Sequence, residues 1–146
     1  MNDDIRRFLP QREPMLMLDD LKQTGANSAA TTFLVRADNI FIDEEGRLAE
    51  VAVIEHQAQS ASAFAGKQAV DAGASNPPVG LIAEVRHFHC IRRPSVGEML
   101  QTTVEWGAEL AGMSRVKVAT SINGEEIATS DLKVYIHKKD GKQDET

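Results

Sequence analysis

Glu55 and Gln59 are the residues whose types and spacing most directly suggest chemistry. They stand four apart in VAVIEHQAQSASAFAG (51–66). On a helix that spacing puts them on one side, one turn apart. Glu55 follows a short apolar run, and a carboxyl that loses solvation has its pKa raised toward the range of a general acid or base. The plain alternative is a solvated carboxylate held favourably at the positive end of a helix dipole. Gln59 can hold the Glu55 carboxylate by a hydrogen bond, or be a surface amide. Backbone N–H groups in the first turn of a helix have no intrahelical partner, and can receive an oxygen on which negative charge develops. Val51–Ile54 is where such donors are expected, with Val53 and Ile54 as the substrate-binding candidates.

The other candidates are weaker. Gln11, between Pro10 and Pro14, can polarise a carbonyl or bind water, or be an ordinary turn residue. His56 adjoins Glu55, but helix neighbours point about 100° apart, so it does not share that residue's direction. His87 and His89 fall on one face of a strand. Two histidines at that spacing can bind a metal, yet no third ligand lies near in the sequence, and no metal or other cofactor is expected. Cys90 points to the opposite face and reads as a small core residue rather than a nucleophile. Arg92 and Arg93, with Arg86 near, form the single basic cluster. On an acidic chain it can dock an acidic partner or a phosphate, or be a solvated strand end.

The elements that must position these residues follow from pattern. Ala58, Ala61, Ala65, Ala69 and Ala72 recur at helical spacing, which predicts a helix over 53–72, ended by Gly73, lying close against a sheet that wraps it. Before it, residues 2–8 suit one or two helical turns capped by Asn2 or Asp3. Strands are expected at 15–21 and 28–37, then an irregular loop over 38–49. After it come a loop at 73–79 and strands at 81–91, 99–110, 113–122 and 126–139. Asn123–Gly124 is the strongest hairpin signal. One helix set apart from runs of strands argues for an α+β fold with an antiparallel sheet, whose edge strands a second subunit would shield.

The 146 residues fit one domain, over 1–139, with a charged and frayed tail at 140–146. A net charge of −6 argues against a general nucleic-acid surface. The single cysteine excludes an internal disulfide, and the charged N-terminus lacks the apolar core of a secretory signal. No apolar run approaches a membrane span. A cytoplasmic protein is expected.

Three stretches together resemble the β-hydroxyacyl-acyl carrier protein dehydratases of the hotdog fold (FabZ/FabA-like), in which a curved antiparallel sheet wraps one central helix. LPQREPMLMLDDL (9–21) is similar to that family's Leu-Pro-His-Arg-x-Pro-x-Leu-x-x-Asp motif. VIEHQAQSASAFAG (53–66) is similar to Ile-Glu-x-x-Ala-Gln, and HCIRRPSVGEML (89–100) to Phe-Arg-Arg-Pro-x-x-x-Gly-Asp. The resemblance implies an acyl thioester of acyl carrier protein or coenzyme A, bound in a tunnel at a dimer interface. It implies a catalytic acid at Glu55, its amide partner at Gln59, and Gln11 where the family's active-site His is expected. An amide can donate a hydrogen bond but cannot relay a proton.

Three functions follow. The first is a 3-hydroxyacyl thioester dehydratase of fatty-acid or polyketide-type biosynthesis. The second is a hotdog thioesterase using Glu55. The third is a non-catalytic acyl-binding subunit paired with an active homologue. The assembly expected is a homodimer or higher homo-oligomer, or a hetero-oligomer with a related hotdog subunit.

Overall fold

The computed structural model describes residues 5–73 and 79–137, with side chains described over 5–73 and 84–135. The helix cap expected at Asn2 or Asp3, most of the 73–79 loop and the C-terminal tail lie outside the described residues. A short 3-10 helix, Ile5–Arg7, leads into an irregular segment containing a cis Glu13–Pro14 peptide. The strands are β1 (Asp20–Gly25), β2 (Ser28–Leu34), β3 (Val79–Cys90), β4 (Met99–Leu110), β5 (Met113–Ile122) and β6 (Glu125–His137), and one helix, α1 (Glu50–Asp71), falls between β2 and β3. All six strands form one antiparallel sheet in the order β1-β2-β4-β5-β6-β3, so β1 and β3 are its edges.

The sheet's centre follows from alternation. In β5, Ser114, Val116, Val118, Thr120 and Ile122 are buried while Arg115 and Lys117 are exposed. The Asn123–Gly124 turn has positive φ at both residues, 50° and 83°, which a tight β5–β6 hairpin requires. α1 packs on the inner face of the sheet against β1 to β5. Phe64 and Ala61 of α1 meet Val104, Val116, Val118 and Leu132 in one core cluster, and Ala52 and Val53 meet Phe33, Leu100 and Ile127 in another.

The helix begins at Glu50, three residues before its expected start. Ala49 occupies the cap in an extended conformation and makes no side-chain cap bond, so the usual Ser/Thr/Asp/Asn signal is missing. The helix ends at Asp71, and Gly73 stops it with φ 103°. The alanine stripe is also corrected. Of its members only Ala61 is fully buried; Ala58, Ala65 and Ala69 are half-buried and Ala72 is exposed. The buried face instead carries Ala52, Val53, His56, Gln57, Ser60, Ala61 and Phe64. The tightest approach is at Gly66, where an added Cβ would be driven into the Phe8 carbonyl and lie 3.0 Å from the Phe8 Cα.

The strand expected at 15–21 begins only at Asp20. Met17 and Leu18 are buried as an apolar strand would be, but the carbonyls of Met15 and Met17 and the Met17 N–H bond to side chains of α1 and not to a neighbouring strand. Among the described residues no helix is long and apolar enough to cross a membrane.

Candidate active site

Glu55 lies in the second turn of α1 and is half-buried. Gln59, one turn on, donates from Nε2 to Glu55 Oε2 at 2.9 Å, so the spacing that suggested the pair is realised as a direct bond. The same Nε2 donates to the Met15 carbonyl at 2.7 Å, and Oε1 accepts from the Met17 N–H at 2.7 Å. Gln59 is 1% exposed with its amide fully engaged, so it is an interior clamp and not a surface amide.

Ile54 is half-buried and Val53 fully buried. Their expected backbone role is displaced by the earlier helix start. The Val53 N–H donates to the Ala49 carbonyl at 3.3 Å, and Ala52 to the same oxygen at 3.0 Å. The amides outside the helical ladder are those of Glu50 and Val51, one turn before Glu55.

Gln11 is half-buried, and its Oε1 is buried without a hydrogen-bond partner. A buried acceptor in this state marks a place where an incoming donor gains a bond at little desolvation cost. Gln11 and Glu55 are not hydrogen-bonded to each other within one chain.

His56 is completely buried. Its Nδ1 lies 2.8 Å from the Met17 carbonyl and its Nε2 2.7 Å from Thr102 Oγ1. Its ring stacks on Phe33 at 5.9 Å between centroids. Burial drives its pKa down to about 4, against the opposing pull of the Met17 carbonyl and the Asp19 charge. His56 is therefore a neutral interior residue with both ring nitrogens engaged, and is not placed to exchange protons with a substrate.

The arginines have partners of their own. Arg92 makes a two-pronged bond to Glu98, at 2.9 and 3.1 Å, and reaches Glu125 at 3.7 Å. The guanidinium holds the Glu98 carboxyl below its ordinary range, and Glu98 raises Arg92 in turn. Arg93 bonds Asp43 and the Leu48 carbonyl. Asp43 is lowered to about 2, by the Arg47 backbone N–H first and Arg93 second. Arg86 pairs with Glu84 at 2.9 Å. Arg93 thus fastens the 38–49 loop and Arg92 the β3–β4 connection, while Arg86 pairs within β3, so each arginine of the cluster has an acidic partner in the chain and keeps part of its side chain exposed.

His87 sits in a bulge of β3 with φ 54°, its Nδ1 3.1 Å from Asp131 Oδ2. Among the described residues no group of three or more His, Cys, Asp or Glu is gathered to hold a metal ion. Cys90 is half-buried, its thiol donating to the Arg92 carbonyl at 3.1 Å, and burial raises its pKa.

A set of interior polar residues was missed by the sequence reading. Thr102, Thr120 and Ser130 point inward from β4, β5 and β6 and meet Gln57 and His56 of α1. Strand alternation carried the signal: Thr102 stands between Leu100 and Val104, and Thr120 between Val118 and Ile122, at core-facing positions.

One long helix packed against a six-stranded antiparallel sheet is the architecture of a hotdog protein. The family model described as "ApeP-like: ApeP dehydratase" matches residues 3–144, and the chain belongs to that family. It is 28% identical over 142 residues to a 3-hydroxyacyl-[acyl-carrier-protein] dehydratase FabZ of Pseudothermotoga lettingae, covering 94% of this chain and 97% of that one. The fold matches a chain of the dehydratase heterocomplex ApeI:P from Xenorhabdus doucetiae with a TM-score of 0.86 at 20% identity, over 95% of this chain and 94% of that one. The PaaI protein of the E. coli phenylacetic acid degradation operon shares the fold at a TM-score of 0.63 and 11% identity, over 80% of this chain and 81% of that one.

Proposed function

We propose that the chain acts on a 3-hydroxyacyl thioester, carried by acyl carrier protein or coenzyme A, and supplies Glu55 to its dehydration at a site completed by a second hotdog subunit. The observation that carries this reading is the Glu55–Gln59 bond of 2.9 Å at the buried helix. Dehydration takes a proton from the carbon next to the thioester and expels hydroxide from the next carbon. A proton delivered to that hydroxide turns it into water. Glu55 in its acid form is the donor. Gln59 occupies Oε2, so Oε1 exchanges the proton. The buried Oε1 of Gln11 suits a substrate hydroxyl or a water as its donor. Ile54, half-buried beside Glu55, is assigned to the acyl chain.

The proton abstraction needs a titratable base, and neither Gln11 nor the sealed His56 supplies one. This favours a partner subunit as its source. The ApeI:P heterocomplex, a fold relative of this chain, supports pairing with a related hotdog dehydratase.

The test is a 3-hydroxyacyl thioester assay of the chain alone and mixed with a related hotdog dehydratase subunit, reading enoyl product and free thiol separately. Enoyl formation by the mixture, reduced about 100-fold or more by Glu55→Ala, is the expected result. Enoyl formation indifferent to that substitution would overturn the role of Glu55. Free thiol without enoyl product would make the chain a thioesterase, and acyl binding with neither product a non-catalytic subunit.

A further inference from the structure

We propose that His56 is a positioning residue for Glu55: by holding the Met17 carbonyl it fixes the Met15–Met17 segment, which orients Gln59 and, through it, the carboxylate. The inference rests on the reading of Glu55 as the reacting acid.

Two carbonyls, which can only accept, set the direction of these hydrogen bonds. Met17 C=O lies 2.8 Å from His56 Nδ1, so Nδ1 carries the proton and Nε2 is a bare acceptor. Thr102 must then donate its hydroxyl proton to Nε2, and Thr120, 2.7 Å from Thr102, must donate to Thr102. At the far end, the Ala128 carbonyl 3.4 Å from Gln57 Nε2 obliges the NH2 group to face it. That group donates to Thr120 at 3.0 Å, and Ser130 donates to Gln57 Oε1 at 2.6 Å. Every bond from Gln57 through Thr120 and Thr102 to His56 thus runs in one direction, toward Met17. The line crosses three strands of the sheet and fixes both the tautomer and the rotation of the imidazole.

Met17 is where this line meets the site. His56 holds its carbonyl and Gln59 its N–H, from positions three apart on one face of α1. With Gln59 Oε1 committed to Met17, its NH2 must face the Met15 carbonyl and Glu55 Oε2. A flipped amide would set its oxygen against both. Loss of the His56 bond releases Met17, then Gln59, then Glu55.

The test uses the dehydratase complex and two readouts. One is kcat and KM for enoyl formation; the other, independent of activity, is the pair of side-chain NH2 resonances of Gln59 in nitrogen-labelled protein, assigned with Gln59→Glu. His56→Leu is expected to lower kcat about 10- to 100-fold with KM within about twofold. It should also move the Gln59 NH2 resonances toward those of a solvated glutamine and speed their exchange with water, because the amide loses its fixed partners at Met15 and Met17. His56→Asn, whose amide can still donate to the Met17 carbonyl, should recover most of both. Thr102→Val, which leaves Nε2 without its donor, should shift both in the direction of His56→Leu, and serves should the leucine variant not fold. A folded His56→Leu or Thr102→Val variant with the wild-type Gln59 resonances overturns the proposal. Resonances that move in protein forming no enoyl product uphold the positioning and refute the dehydratase reading instead.

Discussion

Acidification should destabilise this protein through His56 in a defined window. The residue is completely buried, and its pKa falls from 6.5 to about 4. A base whose folded pKa is depressed binds fewer protons when folded than when unfolded. Its contribution is therefore fully present above pH 6.5, where it is neutral in both states, and is lost as pH falls toward the folded value. At about 1.4 kcal/mol per pH unit, the interval from 6.5 to about 4 amounts to roughly 3 kcal/mol. The groups around His56 leave it no second stable state. Phe33 covers one face of the ring, Thr102 and Met17 occupy its nitrogens, and Asp19 is the charge acting on it. A proton added at Nε2 would face a Thr102 hydroxyl already pointing at it, and reversing that hydroxyl would set it against the proton of Thr120. The assay is urea unfolding at pH 7, 6, 5 and 4, followed by the fluorescence of Trp106, at one protein concentration so that assembly contributes equally. His56→Leu will be less stable at pH 7, since the Met17 carbonyl and Thr102 lose their partner. The informative quantity is the difference in slope: wild type should lose about 3 kcal/mol more than the variant between pH 7 and pH 4. Carboxylates common to both proteins cancel. Parallel pH profiles would refute the buried neutral imidazole as the source.

Two glycines separate crowding from backbone strain. Gly66→Ala should cost about 1–3 kcal/mol or more, because its Cβ would strike the Phe8 carbonyl in a packed interior; a thermal midpoint unchanged from wild type would show that the N-terminal segment does not lie against α1. Gly124→Ala meets no atom within 4 Å but holds φ 83°, so it should cost only about 1 kcal/mol, read as a shift in urea midpoint with an unchanged slope.

What the sequence made legible were the features that local pattern controls. The β4, β5 and β6 strands followed from alternation and from Asn123–Gly124, and the Glu55–Gln59 pair from helical spacing. What it concealed were features decided by contacts far along the chain. Met15–Leu18 reads as the start of a strand because it is apolar, yet the Met17 N–H and carbonyl are taken by Gln59 and His56, 42 and 39 residues away, and the N–H groups of Met15 and Leu16 turn back to the Arg12 carbonyl. The bond of Arg93 to Asp43 could not be read from the sequence, because the two stand 50 residues apart. The start of α1 was hidden for a different reason: Ala49 carries no capping side chain, and the chain is instead held there by its N–H bond to the Phe41 carbonyl at 3.0 Å.

The polar residues on the buried face of α1 have a consequence that an all-apolar helix would lack. Alanines and valines packed on a smooth sheet tolerate small rotations and slides of the helix, since dispersion contacts are exchanged at little loss. Hydrogen bonds do not exchange in this way. With His56, Gln57 and Ser60 tied to Met17, Thr102, Thr120, Ser130 and Thr31, any rotation of α1 leaves several buried polar groups unsatisfied at about 1–3 kcal/mol each. Gly66 fixes how closely the helix approaches the N-terminal segment, and this network fixes its rotation. Glu55 stands on the same rigid element and is joined to this network only through Gln59. Its backbone position is therefore set by the interior of the fold, and its carboxylate is held by Gln59 through Oε2 alone, which leaves Oε1 available for chemistry.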